Sequence, residues 1–446
     1  MQAQDKRQLG LPAAIAVVTG EAIALGLFLT PAAMAKSLGS PLLLGLVWLG
    51  IALMAMCGAL AYSELAIRFP QSGGEYVYLR AGYGENIAFL YGWSSTIVMY
   101  PGLVAALAVG STPYVAQLLP AGTLLPAGFK GLAAVPAVLI CLFGVINLLG
   151  TRLGATVMSF VNGFKLVILF ALVGWAVVSG HAHVANLLPF TVRRPGSDAL
   201  FPAIAGGVMS AFFSFGGWWE AGKIAGEIRN PKRTLPLAFV GGVSVVTAIY
   251  LLISATFLAV LPIDQVSSNT AFVAQFGGVL FGAAGARVLS ACVLVCVCGG
   301  IAAITMAAPR VCLAMAQSGA FFPLFGKLHP RFGTPANAIL LQTGLALAVL
   351  FFGAFDRMLS YIIFSAILFL ALAASSLFRL REPVRRWWFP AAPIGFIVLS
   401  ALIALLILVH DPLPALVGVA IVLCGVPVRR FILANQPAIP VVSERS

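Results

Sequence analysis

The sequence predicts an all-α integral membrane protein with twelve transmembrane helices in one domain. Two observations predict the class and a third its kind. Of 446 residues, 61% are hydrophobic and only 9% charged, with a mean hydropathy of +1.05. A soluble core of this size cannot hide that much apolar surface. Apolar runs of about 20 residues, the length a helix needs to cross hydrocarbon, recur along the whole chain. Two of those runs are interrupted by glycines and an acid, in GEAIALGLF (Gly20 to Phe28) and FFSFGGWWEAGK (Phe212 to Lys223).

The first run, 11–35, is already of spanning length and lacks the cleavage pattern of a signal peptide, so it is expected to remain as the first helix. The second (41–67) and third (86–118) flank a polar turn, Ser72-Gly73-Gly74, and the fourth follows at 132–149. The fifth (156–179) carries a lysine, Lys165, about ten residues from one end, and the sixth (201–225) holds the second interruption. The seventh (236–261), eighth (279–315), ninth (335–353), tenth (358–378), eleventh (388–409) and twelfth (413–433) complete the set. Connections are short except at 181–200, 262–276 and 316–334, so no soluble domain interrupts residues 1–446. With the first and sixth helices interrupted, the chain divides into five helices (about 11–180), five more (about 201–381) and two extra (about 388–433). Matched interruptions in two halves mark an inverted repeat with a ligand site at the bilayer midplane, which is the pattern of a transporter. The competing explanation, glycines serving close helix packing alone, covers either segment singly better than both together.

The net charge of +13 would suggest nucleic acid as a partner for a soluble protein; here its distribution sets topology instead. With the N-terminus inside, the inner ends and loops hold eighteen Lys and Arg, among them Lys6, Arg68, Arg80, Arg152, Arg229, Arg310 and Arg429. The outer loops hold five: Lys36, Lys130, Arg193, Arg194 and Arg357. Both termini are therefore expected in the cytoplasm, with the chain in the cytoplasmic membrane and the lipid bilayer as its solvent. All seven cysteines fall in apolar runs, where cysteine is a small buried hydrophobe; Cys296 and Cys298 lie two apart, on different helix faces, so neither a disulfide framework nor a metal site is implied. No cofactor is expected. Nor is an enzyme: there is no HExxH and no paired nucleophile and base, and of four histidines His181, His183 and His410 lie at outer ends and His329 in an inner loop.

Four stretches carry a resemblance. GEAIALGLFLTP is similar to a first-helix pattern GxxIGSGIFxxP, and Ala61 to Trp93 (AYSELAIRFPQSGGEYVYLRAGYGENIAFLYGW) to a second helix, SGG loop and start of a third. FSFGGWWEAGKIAGEIRNPKRTLP (Phe213 to Pro236) resembles a sixth helix with an FxYGGW core, and Pro309 to Pro335 the end of an eighth helix and its loop. In this combination and order, over nearly the whole chain, the sequence resembles the amino acid, polyamine and organocation transporters, most closely their L-type amino-acid branch. The resemblance implies a LeuT-like fold, two inverted five-helix repeats with unwound first and sixth helices plus two peripheral helices. It also implies alternating-access transport of amino acids.

Unwinding around Ile23, Ala24, Leu25 and Gly26 exposes backbone amides at a positive helix end, suited to a carboxylate. The family has Gly-Ser-Gly where this chain has Ala24-Leu25-Gly26, so the backbone donors survive while a hydroxyl is lost. In the sixth helix, freed carbonyls over Phe213, Ser214, Phe215 and Gly216 suit a substrate ammonium. The resemblance makes Phe213 an aromatic gate over the substrate, against lipid or core packing as the plain alternative. Trp219 replaces a small polar residue, and the bulkier wall favours small side chains. Lys165 matches a family lysine whose ammonium stands where sodium-coupled relatives hold sodium, bridging the first and eighth helices, which implies sodium independence; snorkelling to the interface is its alternative.

Glu21 and Glu220 replace residues that the family usually leaves uncharged. Each is open to three roles: neutralising a buried lysine, taking up a proton or contacting a cationic substrate. Glu220 also has Lys223 one turn on, the favourable order for a pair. Glu227, Asn230, Pro231, Arg310 and the Ser72-Gly73-Gly74 loop are expected to gate the cytoplasmic face. Sodium-independent exchange or facilitated diffusion of small neutral L-amino acids leads. A carrier of cationic amino acids or polyamines and a non-transporting amino-acid receptor remain open. Human L-type relatives are tied to a glycoprotein subunit through a cysteine between the third and fourth helices; residues 119–134 contain none, so no disulfide-linked heavy chain is expected.

Overall fold

The computed structural model describes residues 8–24, 26–119, 134–265, 269–352, 355–410 and 412–434. Every regular element among them is helical; the one β-type feature is an isolated bridge between Leu9 and Ile228. A bilayer explains this, because a helix satisfies its own backbone hydrogen bonds where water is absent. Among the described residues eight helices are long and apolar enough to cross a membrane, and a ninth span forms if Leu11–Ala22 (α1) and Gly26–Leu38 (α2), bent by 55°, count as one. Shorter apolar helices, Ala134–Leu148, Ala336–Leu350 and Phe364–Phe378, occupy the expected fourth, ninth and tenth runs.

The architecture places α1 in the middle. It packs on Thr151–Val178 (α3), Pro231–Val260 (α4) and Gly285–Ala307 (α5), and also on the turn Trp218–Gly222. Helix α2 packs against Leu200–Phe215 (α6), and Pro41–Arg68 (α7) lies along α4. Proline at the first turn starts α1, α7 and α4, where its missing N–H costs nothing. The outermost helices show lipid-type surfaces: Leu402, Leu405, Val409, Leu413 and Leu416 all point outward. So do Phe160, Phe164, Val167 and Phe170 on α3, whose apolar window is only 28% buried within the protein.

Two boundaries differ from expectation. The sixth run is not helical to 225. Its α-helix ends at Phe215, Gly216 is extended, Gly217 is left-handed at φ +96°, and the chain continues as 3₁₀ turns at Trp218–Gly222 and Ala225–Glu227. Two consecutive glycines release the backbone, and only glycine takes φ +96° without strain. The seventh helix starts at Pro231 rather than near 236, because Asn230 at φ +48° turns the chain and Thr234 Oγ1 donates to the Arg229 carbonyl. Pro236 then falls inside the helix, where its missing N–H leaves the Lys232 carbonyl without an intrahelical donor.

Candidate functional site

The first break has a helix end on each side. Helix α1 stops at Ala22, Ile23 leaves helical geometry, and the chain restarts at Gly26, with the Leu27 N–H donating to the Ala24 carbonyl at 3.3 Å. Of the four sequence candidates here, Leu25 lies outside the described residues. The last carbonyls of α1 have no intrahelical partner. Lys165 supplies one: its Nζ, fully buried, donates to the carbonyls of Ile23 (2.7 Å), Gly20 (3.0 Å) and Thr19 (3.3 Å). Three N–H donors meet three acceptors at the negative end of a helix. A Cβ on Gly299 would come within 3.1 Å of the same Nζ, so the ammonium sits between α1 and α5. It does not snorkel. Beside it, Asn162 Nδ2 donates to the Ala16 carbonyl at 3.2 Å.

At the second break the carbonyl of Phe213 accepts the Gly216 N–H (3.3 Å) and that of Ser214 accepts the Tyr250 hydroxyl (2.7 Å). The same hydroxyl reaches the Ala22 carbonyl at 2.8 Å, so one side chain of α4 ties the two breaks together. Tyr250 is itself fixed by Trp48, ring centroids 4.4 Å apart, and by Phe215 at 5.6 Å. Phe215 thus faces the aromatic core, whereas Phe213 is half-buried. Trp219 lies edge-on to Trp218 and against Gly216. On the far side of the breaks, Thr30 and Ser214 share a hydroxyl hydrogen bond, and Ser214 fills the space where a Cβ on Gly26 would stand.

Past Gly217 the 3₁₀ turn carries the charged residues. Glu220 and Lys223, both fully buried, pair at 2.6 Å. Lys223 also meets Glu75, at 3.2 Å, at the start of Glu75–Tyr83 (α8). Tyr100 donates to Glu220 Oε1 (2.9 Å) and Tyr91 to Glu75 Oε2 (2.9 Å). Lys223 Nζ stands 5.1 Å from the centre of the Tyr100 ring, a cation–π distance. Glu21, half-buried on the last turn of α1, packs on Gly217, so the two breaks touch here a second time.

The following residues close the Gln8 end of the bundle. Arg310, buried, grips Glu227 with two nitrogens (2.9 and 3.2 Å) and also bonds the Met306 carbonyl. Leu9 pairs its backbone with Glu227 and Arg229, and the Gly73 N–H donates to the Lys223 carbonyl at 3.1 Å. Glu64 is shared by Arg68 and Arg386. Beyond them opens a cavity of about 1350 Å³ whose wall includes Gln71, Ser72, Tyr76, Arg80, Arg152 and Glu227. At the opposite end the Arg194 N–H donates to the Gly39 carbonyl, the Leu42 N–H and Ser40 hydroxyl to the Phe190 carbonyl, and the Arg193 guanidinium to the Leu38 carbonyl.

A broken central helix pair, capped by a buried lysine and covered by aromatic residues, is a binding arrangement that many membrane proteins could host. The sequence comparison decides between them: the family model for amino acid permeases matches residues 9–426. The chain belongs to the amino acid permease family. It is a multi-pass membrane transporter of amino acids, near the L-type branch, and not an enzyme. Among relatives, this permease is 29% identical over 434 residues to the serine/threonine exchanger SteT of Bacillus subtilis, covering 95% of this chain and 96% of that one. It is 28% identical to the human b(0,+)-type amino acid transporter 1 over 84% of this chain and 76% of the relative. It is 25% identical to the mouse Asc-type amino acid transporter 1 over 95% and 80%.

Three residues of the permease's site escaped the sequence reading. Tyr250 is a lone hydroxyl in an apolar helix (AIYLLI), Tyr100 another beside Pro101, and Glu75 an acid directly after the glycine pair. A polar group in a lipid-spanning run was the available signal for the first two; Glu75 reads as a loop residue and is buried only by the returning 3₁₀ turn.

Proposed function

We propose that the permease exchanges small neutral L-amino acids across the cytoplasmic membrane by alternating access, without sodium. The observation that carries this reading is the Tyr250 hydroxyl joining the Ala22 and Ser214 carbonyls, which sets the two breaks side by side as one site. In this reading the substrate carboxylate meets the amides at Ala24 to Gly26, at the positive end of α2. Its ammonium meets carbonyls of the Phe213 to Gly216 segment, with Phe213 as the gate and Trp219 limiting side-chain size. Sodium independence rests on Lys165: an ammonium held by the Thr19, Gly20 and Ile23 carbonyls occupies the oxygens that a metal cation would need. A relative that exchanges serine and threonine over nearly its full length supports small neutral substrates.

The proposal includes twelve spans with both termini cytoplasmic, arranged as two inverted five-helix repeats (about 11–180 and 201–381) and two peripheral helices. The Gln8 end is then the cytoplasmic end, and the cavity there makes this the inward-facing form. The carrier works without a disulfide-linked heavy chain. One observation favours the second reading, a carrier of cationic amino acids or polyamines: Glu21 and Glu220 beside the breaks.

The test is counterflow in proteoliposomes. Vesicles loaded with unlabelled L-serine should accumulate external labelled L-serine at least tenfold faster than empty vesicles, equally in sodium and in choline buffer. Uptake that requires sodium, or no serine flux in any buffer, defeats the proposal.

A further inference from the structure

The charges buried beside the breaks do not balance. Around Gly217 stand three carboxylates, Glu21 from α1, Glu75 from α8 and Glu220 from the 3₁₀ turn; among the described residues only Lys223 pairs with any of them. Glu21 is within electrostatic reach of Glu220, Glu75 and Lys223. The other groups facing the cluster are phenols: Tyr91, Tyr100, Tyr62 and Tyr78. Lys165 is engaged with the α1 carbonyls. Two carboxylate oxygens and one phenol of the cluster are buried without a hydrogen-bond partner, the phenol being that of Tyr78. Glu220 Oε2 belongs to a fully buried side chain and accepts no hydrogen bond, and Glu21 Oε2 is cut off from solvent in the same condition. One oxygen of Glu220 and both of Glu75 are held by Lys223 and the tyrosines, so the buried acceptors left over are Glu220 Oε2 and Glu21 Oε2.

Uncompensated negative charge in a low-dielectric interior is costly enough that a positive group is drawn in. We propose that Glu21 and Glu220 form a site for one additional positive charge, taken up during transport from a proton or from the cationic side chain of a substrate. This goes beyond neutral exchange and rests on the two breaks being the substrate site. Glu21 touches Gly217 at the second break, so filling or emptying the site reaches the backbone that must rearrange when the cycle turns.

The experiment uses the full chain in liposomes with an entrapped pH dye and a clamped membrane potential, and presents L-serine or L-lysine outside. With a proton as the charge, L-serine entry into empty vesicles acidifies the lumen. With a substrate cation, labelled L-lysine enters with no pH change. In either case Glu21→Gln should lower the charge moved per L-serine, or the ratio of L-lysine to L-serine uptake, at least tenfold. These ratios do not depend on how much protein inserts; if Glu21→Gln fails to insert, Glu220→Gln reads the same quantity. Serine flux in the wild type with neither acidification nor lysine uptake overturns the site. An unchanged ratio in the variant does the same. Absence of serine flux in both empty and serine-loaded vesicles defeats the proposed exchange instead, which keeps the two failures apart.

Discussion

At the scale of single residues, the permease uses buried polar side chains to finish what broken helices leave undone. Lys165 was legible in the sequence because a lysine deep in an apolar run has few reasons to be there, and it does meet the first helix. What the sequence did not tell was its partner set, three carbonyls rather than a carboxylate, since backbone acceptors leave no mark in residue identity. Lys165→Ala removes the donor to the buried carbonyls of Gly20 and Ile23, while that of Thr19 keeps the Ile23 N–H, and each orphaned acceptor costs about 1–3 kcal/mol. The variant should insert normally, melt at lower temperature in detergent and lose L-serine counterflow. Normal counterflow by Lys165→Ala, measured against membrane-inserted protein, would remove the lysine from the mechanism. Tyr250 shows the opposite case. Its hydroxyl joins positions 22 and 214, and no local pattern in AIYLLI announces a contact that arises only when three helices meet.

At the scale of elements, the glycines located the breaks, and the reason lies in backbone geometry. GEAIALGLF and FFSFGGWWEAGK stood out because glycine disfavours helix, and the breaks fall beside Gly26 and at the Gly216-Gly217 pair. The form that the sixth segment takes after its break was not legible: it leaves the glycines as 3₁₀ turns, because Lys223, Glu220 and the Leu9 backbone hold it there through long-range bonds. Gly217 is the sharpest test. Its φ of +96° and the Glu21 side chain where a Cβ would stand both penalise any other residue. Gly217→Ala should keep the fold of the bundle and reduce counterflow at least tenfold. Gly45→Ala, in a helix with nothing within 4 Å of the added methyl, should leave counterflow within about twofold, since alanine is the better helix former. Equal counterflow in the two variants would mean that the break is not a moving part.

At the scale of the whole molecule, the charge asymmetry and the internal ties agree about which end is which. The end rich in Arg and Lys is the one where Arg310 holds Glu227, Arg68 and Arg386 share Glu64, and the 1350 Å³ cavity opens; at the other end backbone bonds tie the 181–198 segment to residues 39–42. Positive charges near span ends resist translocation, so the proposed orientation puts the cavity in the cytoplasm and the stitched segment outside. A residue in the cavity wall and one in the stitched segment must then react from opposite sides. With Cys141 and Cys424, the exposed native thiols, replaced by serine, Gln71→Cys should be modified by a membrane-impermeant maleimide in inside-out vesicles and spared in intact cells. Asp198→Cys should show the reverse. The measurement carries weight beyond topology, because L-serine that drives the carrier outward should slow modification at position 71 as the cavity closes. Labelling at 71 from the cell exterior would invert the bundle, and with it the reading of the structure as the inward-facing form.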